Sequence, residues 1–277
     1  MAKDRLIVAT TVLGGTTLGT STGKTLIGGV NFYMPSWARS LLAVMPTALM
    51  DTPTAAQSLI PLCELESNDF SVKPFQVLGA PTGAILGASG GAARTGPIES
   101  YIIDCPLGGG EGLSAYLTSL VAQTSAPFGN ITLAYSNRPS MAKQKHAVTG
   151  TLTSTGAATA VNSDVSGTRY GFSGADSIQE LFGIVAHGVV ATADGIGGYI
   201  KYTSNEFEGV SDTRLPLQCI AGGLATLQVT SIPGVSRVKN VIPCTPGQVN
   251  VQDAINMSAT PNGAGVWISG VLYDVIG

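Results

Sequence analysis

The chain has 277 residues, of which 11% are charged and 44% hydrophobic, and it carries a formal net charge of −3. This composition excludes a disordered polymer, and 14 Lys and Arg against 17 Asp and Glu exclude an overall basic field that would attract nucleic acid. So few charges are unusual for a freely dispersed monomer and indicate a surface covered by other subunits.

The first predicted strand covers residues 6–9, because no leader-peptide cleavage site follows this apolar stretch. Residues 19–25, GTSTGKT, resemble a phosphate-binding loop, but the spacing is one residue short and Leu18 stands where the first glycine belongs. Residues 25–35 are β-branched, aromatic and glycine-containing, which predicts a strand and not the helix that such a loop opens. We therefore interpret residues 19–25 as a turn between strands.

The next elements are predicted as strands and turns, with one helix in each half. Residues 38–50 favour the first of a pair of strands, joined to a second at residues 58–65 by a turn at 51–54, with a helix as the alternative, because periodicity does not separate short apolar runs. Residues 112–121 have helical spacing, and residues 249–257 occupy the corresponding place in the second half, so both predict a helix. Further strands are predicted at residues 58–65, 75–78, 101–104, 131–135, 181–190 and 199–202, with turns at 51–54 and 192–195.

An internal repeat is the most informative feature of the sequence. Four short stretches recur in the same order, 137 to 142 residues further along the chain. The pairs are residues 67–70 with 204–207, 74–78 with 216–220, 102–106 with 241–245, and 133–135 with 271–273. The repeat predicts two tandem domains, residues 1–139 and 140–277, each with about eight short strands. The polar seam at residues 137–146 holds the densest positive charge, which we interpret as a solvated linker.

Eight antiparallel strands in about 140 residues suit a jelly roll, a β-sandwich of two sheets closed over one core. The fold prediction is therefore all-β, with a minor helix and two tandem eight-stranded jelly rolls. With the repeated Ser-Asn-acid-Phe stretches at 67–70 and 204–207, the chain resembles the double jelly-roll major capsid proteins of icosahedral viruses. That resemblance implies a structural protein of the virion shell, a homotrimeric pseudo-hexagonal capsomer.

The same resemblance implies particular partners. These are further copies of the chain, penton and minor capsid proteins and, by analogy with membrane-containing viruses of this class, an internal lipid layer. Residues 112–163 contain no acid but bring only Arg138, Lys143 and Lys145, too few cations to neutralise a genome. We therefore expect no tight direct binding of nucleic acid.

Two other classes of function stay open. A phage tail-tube protein or another ring-forming β-protein would also be poor in charge, but would usually carry long sheet-extending arms. A carbohydrate-binding β-sandwich would need exposed aromatic side chains, and the chain has only two tryptophans, Trp37 and Trp267.

No reactive site is evident in the sequence, so we predict no catalytic residue, metal or cofactor and expect the chain not to be an enzyme. The two histidines, His146 and His187, lie far apart, and the four cysteines lack zinc-site spacing. The pairs Asn68-Asp69 and Asn205-Glu206 recur in both halves. They predict either duplicated cation sites or, as we prefer, turns stabilised by side-chain-to-backbone hydrogen bonds.

Overall fold

The strands lie where residues with alternating inward and outward side chains can bury one face. A computed structural model of the chain describes residues 5–19, 23–29, 31–49, 58–68, 70, 75–79, 81–87, 90–95, 101–123, 126–140, 144–153, 168–171, 177–187, 195–203, 213–224, 228–232, 234–242, 248–256 and 265–275. All regular structure within these residues is β, in antiparallel pairs, and none of it is helical. It therefore contains no helix that could span a membrane.

Twelve strands precede residue 140. They are β1 (Val8–Thr17), β2 (Thr25–Leu26), β3 (Phe32–Tyr33), β4 (Ser40–Leu49), β5 (Ser58–Leu59), β6 (Pro61–Glu66), β7 (Phe75–Leu78), β8 (Thr82–Gly87), β9 (Gly90–Thr95), β10 (Tyr101–Pro106), β11 (Gly112–Ser119) and β12 (Phe128–Ser136). Nine follow: β13 (Gln144–Thr153), β14 (Thr168–Gly171), β15 (Ser177–His187), β16 (Gly195–Thr203), β17 (Thr213–Leu224), β18 (Gln228–Ile232), β19 (Gly234–Ile242), β20 (Gln248–Asn256) and β21 (Gly265–Val275).

The strands form three sheets, and two of them cross from one half of the chain to the other. Sheet 1 has the order β1-β12-β4-β10. Sheet 2 has the order β19-β15-β21-β13-β7-β6-β11-β2, with β3 beside β11. Sheet 3 has the order β14-β20-β16-β17-β18-β8-β5, with β9 beside β8. The crossings are at β13–β7 in sheet 2 and at β18–β8 in sheet 3.

The strand order of the first half recurs in the second. In the first half, β1-β12-β4-β10 faces β2-β11-β6-β7; in the second, β13-β21-β15-β19 faces β14-β20-β16-β17. The corresponding strands are β1 with β13, β2 with β14, β4 with β15, β6 with β16, β7 with β17, β10 with β19, β11 with β20 and β12 with β21. The four repeated stretches of the sequence lie on, or directly after, corresponding strands in this order.

The all-β prediction is confirmed, but the predicted helices are wrong. Residues 112–119 form β11 and residues 248–256 form β20, both inside sheets. Leu113, Ala115 and Leu117 are buried on one face of β11, so the period of two prevails over the apparent helical spacing. Residues 40–49 form the strand β4, which confirms the strand preferred for residues 38–50 over the helix; its partners among the described residues are β10 and β12. The predicted turn at 51–54 and most of that at 192–195 lie outside the described residues.

Each half has its own apolar core. In the first half, side chains from sheet 1 such as Val44 and Leu133 meet Cys63, Leu65 and Phe75 from sheet 2. The core of the second half contains Leu181, Val185, Ile200, Tyr202, Leu215, Cys219, Trp267 and Val271, all fully buried. Burial of this apolar area is the main stabilising term for both sandwiches.

A third apolar cluster, which we call the inter-half cluster, joins the two sandwiches. It contains Ile60, Leu62, Leu78 and Val121 from the first half and Phe182, Ile184, Ala186 and Ile268 from the second. On β6 and β15 these side chains alternate with core residues, so they point out of their own sandwich and into the other. The two halves are therefore packed against each other through apolar side chains, besides sharing two sheets.

Candidate functional site

Lys24, near the end of the loop-like sequence GTSTGKT, is tied to the outside of sheet 2. Lys24 forms an ion pair with Glu64, and its ammonium lies 5.8 Å from the centre of the Tyr116 ring. Directly after it, residues 25 and 26 form β2. The hydrogen bond to Glu64 raises the pKa of Lys24 despite its partial burial. Lys24 is thus bound to a carboxylate and precedes a strand, which is not the arrangement of a phosphate-binding loop.

Glu64 is a buried acid on the outward face of β6. Its Oε1 accepts a hydrogen bond of 2.9 Å from Gln76 Nε2 on β7, and its second oxygen faces Lys24. Because burying a carboxylate is costly unless it is paired and hydrogen-bonded, these two partners explain how it is tolerated. The group holds the 23–26 segment on the sheet, with one partner on each carboxylate oxygen of Glu64.

A polar cleft of about 490 Å³ opens beside this ion pair. Its lining residues are Asn31, Tyr33, Glu66, Ser67, Asn68, Gly110, Glu111, Gly112 and Ser114. Two carboxylates and two amides thus face the same space. Tyr33 is 67% exposed, and it lies opposite Gly112 in the β3–β11 pair.

Backbone hydrogen bonds hold the cleft in shape. Met34 N donates to Glu111 O over 3.0 Å, and Gly110 N donates to Met34 O over 2.9 Å. Gly110 has φ +85°, a conformation that favours glycine. A Cβ on Gly109 would lie 2.3 Å from Ser36 O, so this loop must pass close to the 35–37 turn. A cleft built this way presents its polar groups at fixed positions.

Of the four residues predicted as possible cation ligands, Asn68 alone lies within the described residues. Asn68 lines the cleft, whereas Asp69, Asn205 and Glu206 lie outside the described residues. Among the described residues, no three His, Cys, Asp or Glu side chains come together as a metal site would require. The cation prediction therefore stays a prediction.

The histidines, cysteines and tryptophans form no common site in the described part of the chain. His146 and His187 pair with β21 at Tyr273 and Gly265, eight residues apart, which separates their backbones by roughly 27 Å. Trp37 is 37% exposed and packs against a tyrosine ring, while Trp267 is fully buried. Three described cysteines are buried and form no disulfide: Cys63, Cys105 and Cys219.

Three strands of sheet 1 present an uncharged outward surface, which we call the β1 face. It is formed by alternate residues of three strands: Val8, Thr10 and Val12 of β1, Ala43, Met45, Thr47 and Leu49 of β4, and Phe128, Asn130, Thr132 and Ala134 of β12. None of these residues is charged. Val12 is 65% exposed, and Leu49 and Phe128 are each 43% exposed.

The segment that leads into this face is held in place although it is exposed. Asn137 Oδ1 accepts a hydrogen bond from Ile7 N over 2.9 Å, and Asn137 Nδ2 donates to Arg5 O over 3.0 Å. Asn137 N also donates to Ile7 O. Leu6 and Ile7 are therefore presented on a fixed backbone with nearly half of each residue exposed. Sequence reasoning did not find this surface, because its outward residues are spread over three strands.

Comparison with known proteins gives no family. No protein-family model and no curated protein matches the chain. Among solved structures, recombinant N-glycanase F (PNGase F) is 8% identical with a TM-score of 0.41, over 96% of this chain and 95% of that one. The Penaeus vannamei nodavirus T=1 particle is 9% identical with a TM-score of 0.22, over 96% and 97%. The VP2 subviral particle of infectious bursal disease virus is 11% identical with a TM-score of 0.14, over 98% and 80%.

These comparisons correct one expectation. Viral capsid proteins are among the structural neighbours, but the first structure named above is an enzyme, which contradicts our expectation that the chain is not one. We withdraw that expectation. At TM-scores below 0.5, none of the three structures defines a site or a reaction for this chain.

Proposed function

We propose that this chain is a structural protein that assembles into a virus-type shell, with tandem jelly rolls at residues 1–139 and 140–277. The observation that carries the proposal is the strand order, which is the same in both halves. Within each half, two four-stranded antiparallel sheets face each other, and the order of the strands is that of the two-Greek-key jelly roll. A duplicated sandwich of this kind supports a role as a structural building block.

The composition of the surface supports assembly from many copies. The β1 face is uncharged, so two copies can approach without desolvating ionised groups, which is the main cost of burying a polar surface. We propose a homotrimer whose six lobes form a pseudo-hexagonal capsomer in an icosahedral virion shell. Penton and minor capsid proteins would be its further partners.

The test is the mass and shape of the purified protein. We expect light scattering at micromolar concentration to give three times the chain mass, and negative-stain images to show hexagonal tiles or closed shells. Stacked tubes would favour the rival tail-tube protein. A stable monomer would contradict the proposal for either kind of assembly.

A second candidate function, carbohydrate binding, is favoured by the polar cleft. An exposed ring beside fixed amides and carboxylates can stack on a sugar while hydrogen-bonding its hydroxyl groups, and Tyr33 stands at such a place. We expect a panel of immobilised glycans to retain the wild type and not Tyr33→Ala. Equal retention of both proteins would reject the cleft as a sugar site.

A further inference from the structure

The two halves can be aligned residue by residue on one pair of strands. β12 pairs with β4, and β21 pairs with β15, and the register of each pair shifts by one residue next to a tyrosine. Tyr135 lies opposite Leu41 beside the first shift, and Tyr273 lies opposite Ile178 beside the second. Because the shifts coincide, the strands on either side correspond with little ambiguity. Met45, Thr47 and Leu49 thus correspond to Phe182, Ile184 and Ala186.

Corresponding positions have opposite environments in the two halves. Phe182, Ile184 and Ala186 are buried in the inter-half cluster, covered by the outward side of β6 and β7. Their counterparts in the first half belong to the β1 face, where Leu49 is 43% exposed. The first half therefore repeats a surface that the second half uses as an interface, and the described part of the chain leaves that surface uncovered.

The strand edges repeat in the same way. In sheet 2 the edge of β13 pairs with β7 at Ala147 and Gln76. Thr10 of β1 lies opposite Ala134 and Ala147 of β13 lies opposite Leu272, and Ala134 and Leu272 directly precede the corresponding tyrosines, so Thr10 is the counterpart of Ala147. The sequence repeat makes Gln218 of β17 the counterpart of Gln76. Within the described residues, β1 is the end strand of sheet 1, and β18 covers β17 only from Ile220 onwards. The edge of β1 at Thr10 and the edge of β17 at Gln218 are therefore both open, whereas the corresponding edges of β13 and β7 pair with each other.

The surface next to Gln218 has a shape that can receive the β1 face. A hollow of about 480 Å³ is lined there by Gly197, Gly198, Pro216, Leu217 and Gln218. A Cβ on Gly197 would meet nothing within 4 Å. The inter-half cluster combines the large Leu62 of β6 with the small Ala186 of β15, whereas this pair of surfaces offers glycines on β16 and the large Leu49 of β4. The two surfaces complement each other in size in the reverse sense.

We propose that the β1 face of one copy docks on the outward side of β16 and β17 of the next copy, with β1 pairing along β17 near Gln218. The contact between copies would repeat the contact between halves, and it is head-to-tail, so that rotation closes it into a ring. The three strands of the β1 face, spaced about 4.8 Å apart and roughly 30 Å long, give a footprint of roughly 900 Å² for both partners, the size of a small, reversible interface, which the ladder hydrogen bonds between β1 and β17 would reinforce. This inference rests on the proposed self-assembly.

Disulfide trapping tests the strand register. Residues directly opposite in an antiparallel pair have Cα atoms about 4.5–5.5 Å apart, which a disulfide can bridge. Under mild oxidation, Thr10→Cys combined with Gln218→Cys should therefore give covalent dimers and trimers. Gln76→Cys with Ala147→Cys is the internal positive control and should cross-link within one chain. Thr10→Cys with Arg214→Cys, four residues out of register, should stay monomeric on a non-reducing gel.

Charge substitution tests the face without relying on the cross-link. Leu49→Glu places a charge at a position that is solvent-exposed in a single chain, so folding should be unaffected, while the concentration needed for assembly should rise at least about tenfold. Tyr33→Glu, also at an exposed position, should assemble as the wild type does.

The outcomes separate the two proposals. An assembling wild type that gives no Thr10–Gln218 cross-link, and whose Leu49→Glu variant assembles normally, refutes this surface and leaves the shell proposal standing. A wild type that is monomeric at tens of micromolar refutes both.

Discussion

Replacing Gly270 by alanine should destabilise the fold although glycine is usually the poorer strand residue. A Cβ at this position would lie 1.9 Å from Cζ and 2.1 Å from Cε2 of Phe182, which is directly opposite on β15. Ordinary carbon contacts need about 3.5–4.0 Å, so the ring would have to move by roughly 1.5 Å. It is 4% exposed and packed in the inter-half cluster, so we expect overpacking to cost about 1–3 kcal/mol.

A double-mutant cycle isolates that contact. Phe182→Ala alone should cost about 3–5 kcal/mol, because it empties a buried aromatic position. Adding Gly270→Ala to Phe182→Ala should then cost almost nothing, since the ring that it would hit is gone. The coupling free energy between the two sites should be about 1–3 kcal/mol, against a few tenths for independent sites. Urea unfolding at one protein concentration, followed by the fluorescence of the buried Trp267, would measure all four proteins.

Gly197→Ala is the matched control at a protein concentration below that of assembly, because within a single chain a methyl group there has open space. It should leave stability unchanged or raise it by up to about 1 kcal/mol, through the lower entropy of the unfolded chain. If Gly270→Ala is as harmless as Gly197→Ala, the ring does not cover Gly270 and the described packing of the inter-half cluster is incorrect.

Four further predictions concern other parts of the molecule. Pairing with Glu64 raises the pKa of Lys24 above 10.5. The stabilisation from this pair is therefore fully present below pH 10.5 and disappears as the pH rises through the pKa of Lys24 in the folded state. Lys24→Met should remove that loss of stability at alkaline pH, as measured by the melting temperature against pH. Tyr202→Phe should cost about 1–2 kcal/mol in urea unfolding, because the hydroxyl donates to Phe182 O and accepts from the buried Gly270 N. In the native protein, a thiol reagent should leave the buried Cys63, Cys105 and Cys219 unmodified, because the reagent cannot reach them; burial also raises the pKa of the Cys63 thiol, so it carries little reactive thiolate. If the shell proposal holds, the radial density of the particle should show a lipid or basic protein layer between shell and genome; nucleic acid lying directly on the shell would contradict this.

The fold was predictable from the sequence where a signal was local or repeated. Apolar and β-branched runs identified strands such as β4, β6, β15 and β16, and the repeat placed Tyr135 and Tyr273 on corresponding strands, where both are buried. The strand at residues 58–65 also carried a signal that we did not use. It is apolar without alternation, which is typical of a strand buried on both faces, and Ile60 and Leu62 do point into the inter-half cluster.

The candidate site was not predictable, because its parts meet only through the sheets. Glu66 and Glu111 line one cleft because β6 pairs with β11, and nothing in either sequence neighbourhood indicates the other. Lys24 reaches Glu64 in the same way. The two helices were predicted wrongly because apolar residues at 113, 117 and 121 satisfy helical spacing as well as alternation. Pairing with distant strands decided that these residues form strands and not helices.

The sharing of sheet 2 between the halves has a consequence for synthesis on the ribosome. The first half emerges before β13 exists, so the edge of β7 and the apolar side chains Ile60, Leu62 and Leu78 are without their cover during that interval. An open strand edge beside an apolar face is the surface on which nascent chains aggregate. We expect a fragment ending at residue 139 to be poorly soluble or to bind chaperones when expressed alone. Supplying residues 140–277 as a separate chain should rescue it, because that fragment brings both the missing strand and the apolar cover.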